Sequence, residues 1–405
     1  MPEDAPKTPL AVMAKAVGSR CNMRCAYCYY LDKGKFSRSE KQTRMSYSLL
    51  ERMIRQTIAA SPGPAVSFTW HGGEPTLAGM DFYRKALELE KKYLPRGWEA
   101  WNNLQTNGLL LNDAWCRFLK ENRFDVGVSI DGPAQVHDKN RRLVNGVGTF
   151  DRVRAAVRRL REAGVEPDLL CTVNAVSQAQ PLDVYRALRE TGCGWVQFIP
   201  VVIRDESGGA DPRSVTPEGY GAFLIAVFDE WVRHDLGVLD VQLFAETARI
   251  LAGGEASLCW MSPVCGHVPI VEEDGSVYSC DHFVDPEHRL GSLFDGSLAK
   301  MTGGEFQRAF GLAKRDALTD ECRSCPYLRF CNGGCPKDRF GVSGGGQPGQ
   351  YWLCPGLKAF FAHAVPVLER VMAMSARGMK PREIMAELNK PAEEQKRPAE
   401  DVSDG

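Results

Sequence analysis

Short apolar runs alternate with amphipathic stretches between residue 10 and about residue 200. The short runs predict strands, and apolar positions three or four residues apart predict helices such as those at 79–94 and 149–164. Gly164 stands just past the second of these helices, in the usual terminating position. The six predicted strands are LAVMAKAV (10–17), AVSFTW (65–70), EAWNNLQ (99–105), FDVGVSI (124–130), PDLLCTV (167–173) and WVQFI (195–199).

This repeated strand and helix pattern predicts a parallel sheet. Six strands are too few for a closed barrel of eight, so we expect an open, partial barrel. In such a barrel the loops after the strands carry the functional site. Each polar motif of this half follows a predicted strand: the loop at 21–28, HGGEP at 71–75, QTNG at 105–108 and SIDGP at 129–133.

The alternation stops after a strong predicted helix at 217–235. Residues 255–356 contain eight cysteines and only short predicted strands, which is typical of a small domain held by metal. Asp274 and Gly275 lie between two of these strands and predict a hairpin that places Cys280 and Asp281 at a strand end. Helices are predicted near 357–375 and 381–389, and a disordered tail at 391–405. The predicted domains are 1–235, 236–375 with the closing helices, and 376–405 with the short helix and tail.

Composition and charge are those of an ordinary globular protein of 405 residues, with 44% hydrophobic and 25% charged residues. The formal net charge is -1, so no attraction to nucleic acid or to an anionic membrane is predicted. The arginines at 152–162 surround an apolar stripe, which predicts a solvated outer helix face. The N-terminal segment has acidic residues and a short apolar run broken by Lys15, so we expect no signal peptide, no membrane span and a cytoplasmic location.

Three cysteines, Cys21, Cys25 and Cys28, lie within eight residues of one loop. A closed zinc site needs four ligands and disulfides need an even number, so three thiols fit neither. A cubane iron-sulfur cluster has four irons, and three thiolates leave one iron open to a ligand that is not protein. The loop therefore predicts a reactive iron-sulfur cluster.

Eight further cysteines lie between residues 259 and 354. They make two complete sets of four, which suits two iron-sulfur clusters or two zinc sites, since CRSC (322–325) and CNGGC (331–335) resemble the knuckles of a zinc ribbon. Spacing alone leaves both possibilities open, and the three-cysteine loop favours iron. The remaining three cysteines, Cys116, Cys171 and Cys193, stand singly and are predicted to be small buried hydrophobes.

These motifs resemble those of the radical S-adenosylmethionine enzymes: Cx3Cx2C with Tyr27 before its last cysteine, and GGEP at 72–75 after the second strand. The second half is similar to a SPASM domain, with Gly275-x4-Cys280 and a Cx2Cx5Cx3C run that begins at Cys322. WHGGEPTLAG, QTNG, VGVSIDGP, HDKNRR and VYSCDHFV together resemble the anaerobic sulfatase-maturating enzymes. The resemblance runs from about residue 10 to 370. It implies an α/β fold, a partial (β/α)6 TIM-like barrel with a C-terminal cysteine-rich SPASM domain that binds two auxiliary iron-sulfur clusters.

The same resemblance implies S-adenosylmethionine and three 4Fe-4S clusters as cofactors. Glycine backbone can approach the methionine ammonium closely, Glu74 can accept from it, and the Arg141 guanidinium can hold the methionine carboxylate. The alternatives are a Gly-Gly turn with a capping carboxylate, and an arginine that is merely surface charge. The implied cofactor contacts are Tyr27, Gly72, Gly73, Glu74, Ser129, Arg141 and Val202. The implied cluster ligands are Cys21, Cys25 and Cys28 for the reactive cluster, Cys259, Cys265, Cys280 and Cys335 for the first auxiliary cluster, and Cys322, Cys325, Cys331 and Cys354 for the second.

The implied reaction oxidises a cysteine or serine of a newly made sulfatase, in an unfolded CxPxR or SxPxR segment, to Cα-formylglycine. A 5′-deoxyadenosyl radical would take a hydrogen from the β-carbon, Asp281 would accept a proton, and one electron would leave through the auxiliary clusters. Burial is expected to raise the proton affinity of Asp281. The alternative for Asp281 is to accept backbone hydrogen bonds at the end of a hairpin. His71 could line the substrate pocket, and a ferredoxin or flavodoxin is expected as electron donor.

Two other functions stay open at this point. One is another peptide-modifying radical enzyme, forming thioether or carbon crosslinks; such enzymes often carry an extra peptide-binding domain, for which the strand predicted at 10–17 leaves no room. The other is a zinc or iron-sulfur scaffold without catalysis, which a visible spectrum would distinguish because zinc sites are colourless.

Overall fold

A parallel sheet dominates the first half of the chain in the computed structural model, which describes residues 9–36 and 43–391. Each strand pairs in parallel with the next along the chain. The six predicted strands are confirmed, and a further strand of two residues, which the apolar pattern did not predict, extends the edge. The strands are β1 (Leu10–Ala14), β2 (Ala65–Trp70), β3 (Glu99–Thr106), β4 (Asp125–Ser129), β5 (Asp168–Val173), β6 (Trp195–Pro200) and β7 (Asp240–Val241).

Amphipathic helices connect these strands and cover one face of the sheet, as the spacing of apolar residues requires. In β5, Leu169, Cys171 and Val173 are buried while the residues between them are less so, which is the two-residue period of a strand. The predicted outer face of the arginine-rich helix is confirmed, since Arg152, Arg154 and Arg158 are exposed. The helices are α1 (Tyr47–Ala60), α2 (Met80–Tyr93), α3 (Asp113–Glu121), α4 (Ala134–Asn140), α5 (Phe150–Glu162), α6 (Pro181–Arg189), α7 (Pro217–His234) and α8 (Gln242–Leu251).

The cysteine-rich half continues the same sheet at its other edge. Strand β8 (Ile270–Val271) pairs in parallel with β1, and β9 (Ser276–Tyr278) and β10 (Arg289–Ser292) follow as antiparallel neighbours. The predicted hairpin is confirmed: Gly275 has a φ of 86° in the turn, and its N–H donates to the Glu272 carbonyl at 2.9 Å. One sheet of ten strands therefore crosses both halves.

Short helices and one long helix complete the second half. The long helix α13 (Cys354–Ala376) packs on α7 at two glycines: a Cβ on Gly221 would lie 2.7 Å from the Gly356 backbone. Cys354, the first residue of α13, lies two residues before this close contact with α7. The remaining elements are α9 (Leu298–Thr302), α10 (Glu305–Asp316), α11 (Asp320–Arg323), α12 (Leu328–Cys331), β11 (Gly341–Val342), β12 (Pro348–Gln350), α13 (Cys354–Ala376) and α14 (Pro381–Leu388).

The predicted helix at 381–389 is thus confirmed, whereas the predicted disordered tail lies, from residue 392 on, outside the described residues. The division at residue 235 stays a prediction, because the continuous sheet crosses it. Within the described ranges, no helix combines the length and the apolar character needed to cross a bilayer.

Candidate active site

The three-cysteine loop follows β1 and is held by the last residue of α4 and the segment that follows it. The N–H of Arg24 donates to the Arg142 carbonyl at 2.8 Å, and that of Ala26 to the Asn140 carbonyl at 2.9 Å. The loop brings the thiols of Cys21, Cys25 and Cys28 together, since Cys25 and Cys28 both act electrostatically on Cys21, and Cys28 acts on Cys25. Burial raises the pKa of Cys21 to about 12 and that of Cys25 to about 11. Thiols so buried ionise at neutral pH only with a compensating cation, so this donor set fits a thiolate-bound metal cluster.

The glycine pair of HGGEP lies directly against this loop. Gly72 has a φ of 125°, which an L side chain rarely adopts. A Cβ on Gly73 would lie 2.0 Å from the Arg20 carbonyl oxygen, and the Gly73 N–H donates to the Gly18 carbonyl at 2.8 Å. Both positions therefore require glycine for the close approach of two backbone segments.

Glu74 is fully buried, and protein groups donate hydrogen bonds to both of its carboxylate oxygens. Oε1 accepts from the Thr76 N–H at 3.0 Å and from the Thr106 hydroxyl at 2.7 Å, and Oε2 accepts from the Asn107 N–H at 2.7 Å. The side chain caps the short helix at 75–78 and ties it to the end of β3. This geometry favours the predicted alternative, a capping carboxylate, over direct contact with a ligand.

A second buried carboxylate, Asp131, organises the loop after β4. Its Oδ2 lies 2.9 Å from Arg141 Nε and accepts from the Tyr27 hydroxyl, and its Oδ1 accepts from the Thr172 N–H at 2.9 Å. We call Asp131, Arg141 and Tyr27 the Asp131 network. Burial alone would raise the pKa of Asp131, but Arg141 and then His137 lower it overall. Arg141 is buried, so the alternative of a surface arginine is wrong.

The other predicted cofactor contacts lie at the carboxyl ends of β4 and β6, which β5 separates in the sheet. Ser129 ends β4 and its hydroxyl accepts from Gln105 Nε2 at 3.3 Å. Val202 follows β6, and its carbonyl accepts from Lys337 Nζ at 3.2 Å. His137 has a structural role, since its Nδ1 accepts from the Asp131 N–H at 3.2 Å and its Nε2 contacts the Thr149 hydroxyl at 3.0 Å.

The cysteine-rich half delivers Asp281 to the mouth of the barrel. Its Oδ1 lies 2.5 Å from Lys15 Nζ, at the end of β1, and its Oδ2 accepts from the Tyr29 hydroxyl. Lys15 Nζ also lies 3.3 Å from His71 Nδ1 and 4.1 Å from the centre of the Tyr30 ring. We call Asp281, Lys15 and Tyr29 the Asp281 network. It joins three segments: β1, the three-cysteine loop and the turn after β9.

The pKa of Asp281 is shifted in the direction opposite to the expected one. Burial acts to raise its pKa, but Lys15, His71 and His282 hold the pKa well below its ordinary value. The expected increase in proton affinity is therefore wrong, because a buried lysine contacts the carboxylate directly. The alternative role, accepting backbone hydrogen bonds at the end of a hairpin, does not fit either. Among the described residues, the carboxylate contacts the side chains of Lys15 and Tyr29.

Lys15 and Asp131 belong to the site although sequence reasoning assigned neither a role. Lys15 directly follows β1, within the apolar run at 10–17, and is 0% exposed; a lysine is almost never fully buried without a partner. That break in the apolar run was the available signal. Asp131 lies within the SIDGP motif, whose position after a strand was the corresponding signal.

The eight remaining clustered cysteines gather in two groups that interleave along the chain. In one group, the thiol of Cys265 is influenced by Cys259, and that of Cys280 by Cys335 and Cys259. The other group lines a single cavity with Tyr327 and Phe361. Four thiols around one cavity suit a closed cluster. The members of this cavity group are Cys322, Cys325, Cys331 and Cys354.

The three single cysteines behave as predicted. Cys116, Cys171 and Cys193 are buried at 1%, 0% and 3% exposure within the apolar core. All fourteen cysteines fall within the described residues, and each is a free thiol there.

Family models match both halves of the chain. The model of the radical SAM superfamily matches residues 16–198, and that of the SPASM iron-sulfur cluster-binding domain matches residues 245–326. These matches cover the barrel and part of the cysteine-rich half.

Curated relatives match nearly the whole chain. A serine-type anaerobic sulfatase-maturating enzyme of Bacteroides thetaiotaomicron is 41% identical over 89% of this chain and 91% of its own. A cysteine-type anaerobic sulfatase-maturating enzyme of Clostridium perfringens is 32% identical over 90% of this chain and 98% of its own. Among solved structures, "Native anSMEcpe with bound AdoMet and Cp18Cys peptide" superposes with a TM-score of 0.82 at 32% identity, over 90% of this chain and 99% of that one.

Proposed function

Because the chain belongs to the anaerobic sulfatase-maturating enzymes of the radical SAM superfamily, we propose roles for its individual residues in that reaction. The protein is a radical SAM oxidoreductase that converts a cysteine or serine of a sulfatase to Cα-formylglycine. Its cofactors are S-adenosylmethionine and 4Fe-4S clusters. The observation that carries the residue roles is the meeting of Asp281, Lys15 and Tyr29 beside the three-cysteine loop.

The residues present fit these cofactors, because three thiols converge on one loop and eight more gather in two groups. Cys21, Cys25 and Cys28 would hold the reactive cluster, Cys259, Cys265, Cys280 and Cys335 the first auxiliary cluster, and Cys322, Cys325, Cys331 and Cys354 the second. The reactive cluster would supply the electron that cleaves bound S-adenosylmethionine, and the cleaved cofactor would supply the carbon-centred radical that abstracts a hydrogen atom.

Residues at the mouth of the barrel would bind and orient S-adenosylmethionine. The glycine pair Gly72 and Gly73 would offer backbone carbonyls to the methionine ammonium, while the carboxylate of the next residue, Glu74, anchors this segment to Thr106 and Asn107 at the end of β3. Arg141 would meet the methionine carboxylate, and Asp131 fixes the guanidinium for that contact. The further proposed contacts are Tyr27, Ser129 and Val202.

Asp281 would accept the proton of the target thiol or hydroxyl. The side chain being oxidised loses one hydrogen atom from the β-carbon, one proton from sulfur or oxygen, and one electron, so both electrons of the oxidation are accounted for. Serine then gives the aldehyde directly, whereas cysteine gives a thioaldehyde that water hydrolyses to the aldehyde with release of hydrogen sulfide. Moving a thiol proton from a pKa of about 8.5 to an aspartate near 3.9 costs roughly 6 kcal/mol. The ion pair with Lys15 adds to this cost, so the proton moves only once hydrogen abstraction has made the S–H or O–H more acidic.

Lys15 and Tyr29 would act through Asp281 as positioning residues. Each occupies one carboxylate oxygen, which fixes the plane of the carboxylate at the barrel mouth. The Asp281 side chain keeps 15% exposure, so it remains accessible to a bound peptide. His71, which lies against Lys15, would line the pocket that receives the target side chain beside Asp281.

The substrate would be an unfolded sulfatase segment with a CxPxR or SxPxR motif. The electron for the reactive cluster would come from a ferredoxin or flavodoxin, and the reducing cytoplasm is the proposed location, because fourteen unpaired thiols suit it. The proposed domains are the barrel at 1–235, the auxiliary-cluster domain at 236–375, and the short helix with the tail at 376–405.

Anaerobic incubation with dithionite, S-adenosylmethionine and two matched peptides tests the proposal. One peptide carries CxPxR and the other SxPxR, because relatives of both types match the chain. Mass spectrometry should detect the aldehyde in at least one peptide, and a peptide with alanine at the target position is the control. Continued cleavage of S-adenosylmethionine with both peptides unchanged would count against the maturase.

Iron analysis tests the cluster assignment separately. Three 4Fe-4S clusters predict about twelve irons per chain after anaerobic reconstitution. Replacing Cys21, Cys25 and Cys28 together by alanine should remove about four of these irons and abolish cleavage. A wild-type content of about four irons would refute two auxiliary clusters.

A further inference from the structure

Helix α10 buries a polar face instead of an apolar one. Its three buried residues are Gln307, Gly311 and Lys314, spaced four and three residues apart on one side of the helix. Large apolar residues of the same helix, Phe306 and Leu312, are 51% and 40% exposed. This reversal of the usual amphipathic pattern needs a cause in what the buried face contacts.

That face contacts three segments that carry cysteines of the first auxiliary set. Gln307 Nε2 donates to the Gly266 carbonyl at 2.9 Å and to the Ser279 carbonyl at 3.3 Å, beside Cys265 and Cys280. Gly311 accepts the Cys265 N–H at 3.2 Å, and a Cβ there would lie 2.7 Å from the Cys265 carbonyl oxygen. The helix therefore fastens the backbone of the segments that present these thiols.

Lys314 holds the segment of the third thiol, Cys259. Its Nζ donates to the carbonyls of Cys259 at 2.9 Å, Trp260 at 2.8 Å, and Ser262. Three donated bonds require all three N–H groups, so the buried group is an ammonium. The side chain is 1% exposed, and no described carboxylate forms an ion pair with it.

Arg339 extends this arrangement to the segment of the fourth thiol. Its Nη1 donates to the Lys314 carbonyl at 2.7 Å, while Nε and Nη2 donate to the carbonyls of Gly333 at 2.8 Å and Asn332 at 2.9 Å. Those two residues lie between Cys331 and Cys335, which belong to different cysteine groups. In the described part of the chain Arg339 likewise has no carboxylate partner.

A buried ammonium such as that of Lys314, with the half-buried guanidinium of Arg339 beside it and no described carboxylate as partner, is costly unless a negative charge lies nearby. Burial lowers the pKa of Lys314, while the sulfur atoms of Cys265, Cys259 and Cys335 act to raise it. A cluster bound by four thiolates is an anion, and it would supply the missing counter-charge.

We propose that Lys314 is a positioning residue of the first auxiliary site. Its ammonium holds the Cys259 turn in place. Together with Arg339, it also keeps the reduction potential of the cluster high enough for the cluster to accept the electron that leaves the substrate. This inference rests on the proposed function, because it presupposes a cluster on these thiols. A positive charge nearby favours the reduced, more negative state of a cluster.

The test compares reconstituted Lys314→Met, which keeps length and loses charge, with Lys314→Arg, which keeps charge. In redox titrations followed by electron paramagnetic resonance, Lys314→Met should shift the potential of one auxiliary cluster to more negative values, and Lys314→Arg should restore it towards wild type. Formylglycine formed per S-adenosylmethionine cleaved should fall by about tenfold in Lys314→Met. The control is Lys120→Met, an exposed lysine that donates to the Gly164 carbonyl far from these thiols.

Wild-type potentials in Lys314→Met would overturn the inference. If Lys314→Met instead loses about four irons, retention of those irons by Lys314→Arg would support it, and their loss from both variants would overturn the role of the charge. Failure of the proposed function looks different, because the wild-type protein itself would then lack auxiliary clusters or leave both peptides unchanged.

Discussion

The Asp131 and Asp281 networks use the same kinds of side chain, an aspartate, a tyrosine and a buried cation, in two different settings. The Asp131 network comes wholly from barrel loops, and its aspartate is inaccessible with both oxygens bonded. The Asp281 network spans both halves of the chain, and its aspartate keeps 15% exposure. A carboxylate enclosed on all sides can only support its neighbours, whereas one left partly open can also meet a substrate.

The two tyrosines show how closely the networks are coupled to the three-cysteine loop. Tyr27 and Tyr29 flank Cys28, and they reach Asp131 and Asp281 respectively. The loop is therefore fixed from the barrel on one side and from the cysteine-rich half on the other.

Asp281→Asn is the substitution with the largest expected effect, because it removes the proton acceptor and keeps the shape. Formylglycine formation should fall by roughly 10² to 10⁴, the usual effect of losing a positioned base. Iron content and release of 5′-deoxyadenosine should persist, as chromatography would show. The matched control is Asp183→Asn on the outer helix α6, and near-normal product from Asp281→Asn would reduce this residue to a structural one.

Asp131→Asn should instead lower the free energy of unfolding. It leaves the Arg141 guanidinium buried without its counter-charge, which costs about 3–5 kcal/mol of unfolding free energy. Denaturant titration of the cluster-free protein measures this, again with Asp183→Asn as control. If Asp131→Asn were as stable as wild type and lost only product formation, the two networks would not differ as described.

Lys15→Met should lower both product formation and stability, since Lys15 connects the barrel half of the chain to the cysteine-rich half. Removing the buried ammonium leaves Asp281 without its cation, and we expect a loss of about 3 kcal/mol, the lower end for a buried pair, because Asp281 keeps some exposure. Product formation should fall with it. Lys33→Met, a half-buried lysine that donates to the His282 carbonyl nearby, should leave stability close to wild type.

The smallest expected effects come from Tyr27→Phe and Tyr29→Phe, which remove only a hydroxyl. A hydrogen bond to a charged group contributes about 1.5–3 kcal/mol. Tyr27→Phe should lower stability and the affinity for S-adenosylmethionine, measured by calorimetry, whereas Tyr29→Phe should lower product formation at unchanged affinity. Identical profiles for both variants would contradict the separation of the two networks.

The barrel strands and the turn at Asp274 and Gly275 were predictable because their signals are local. Apolar runs define β1 to β6, and an Asp-Gly pair between two runs defines the hairpin. The strand β7 has only two residues, too few to produce a pattern. The pairing of β8 with β1 joins residues far apart in sequence, and no local signal reports it.

In the candidate site, too, contacts between residues far apart in sequence could not be predicted. The cysteine groups could be proposed from a family resemblance, but the roles of Lys15, Asp131 and Lys314 depend on which distant groups burial places beside them. For Asp281 the expected direction of the pKa was wrong for this reason: a buried carboxylate alone has a raised pKa, and its sequence neighbours do not reveal the lysine.

The pairing of β8 with β1 also constrains how this fold can be recombined with relatives. Only two register pairs, Met13 with Ile270 and Ala14 with Val271, join the strands. Because side chains alternate along a strand, a transplanted cysteine-rich module that slipped by one residue would turn the faces of β8 over and carry Asp281 away from Lys15. A chimaera could thus keep every cysteine and still be inactive, so exchange of modules has to preserve strand register as well as ligands.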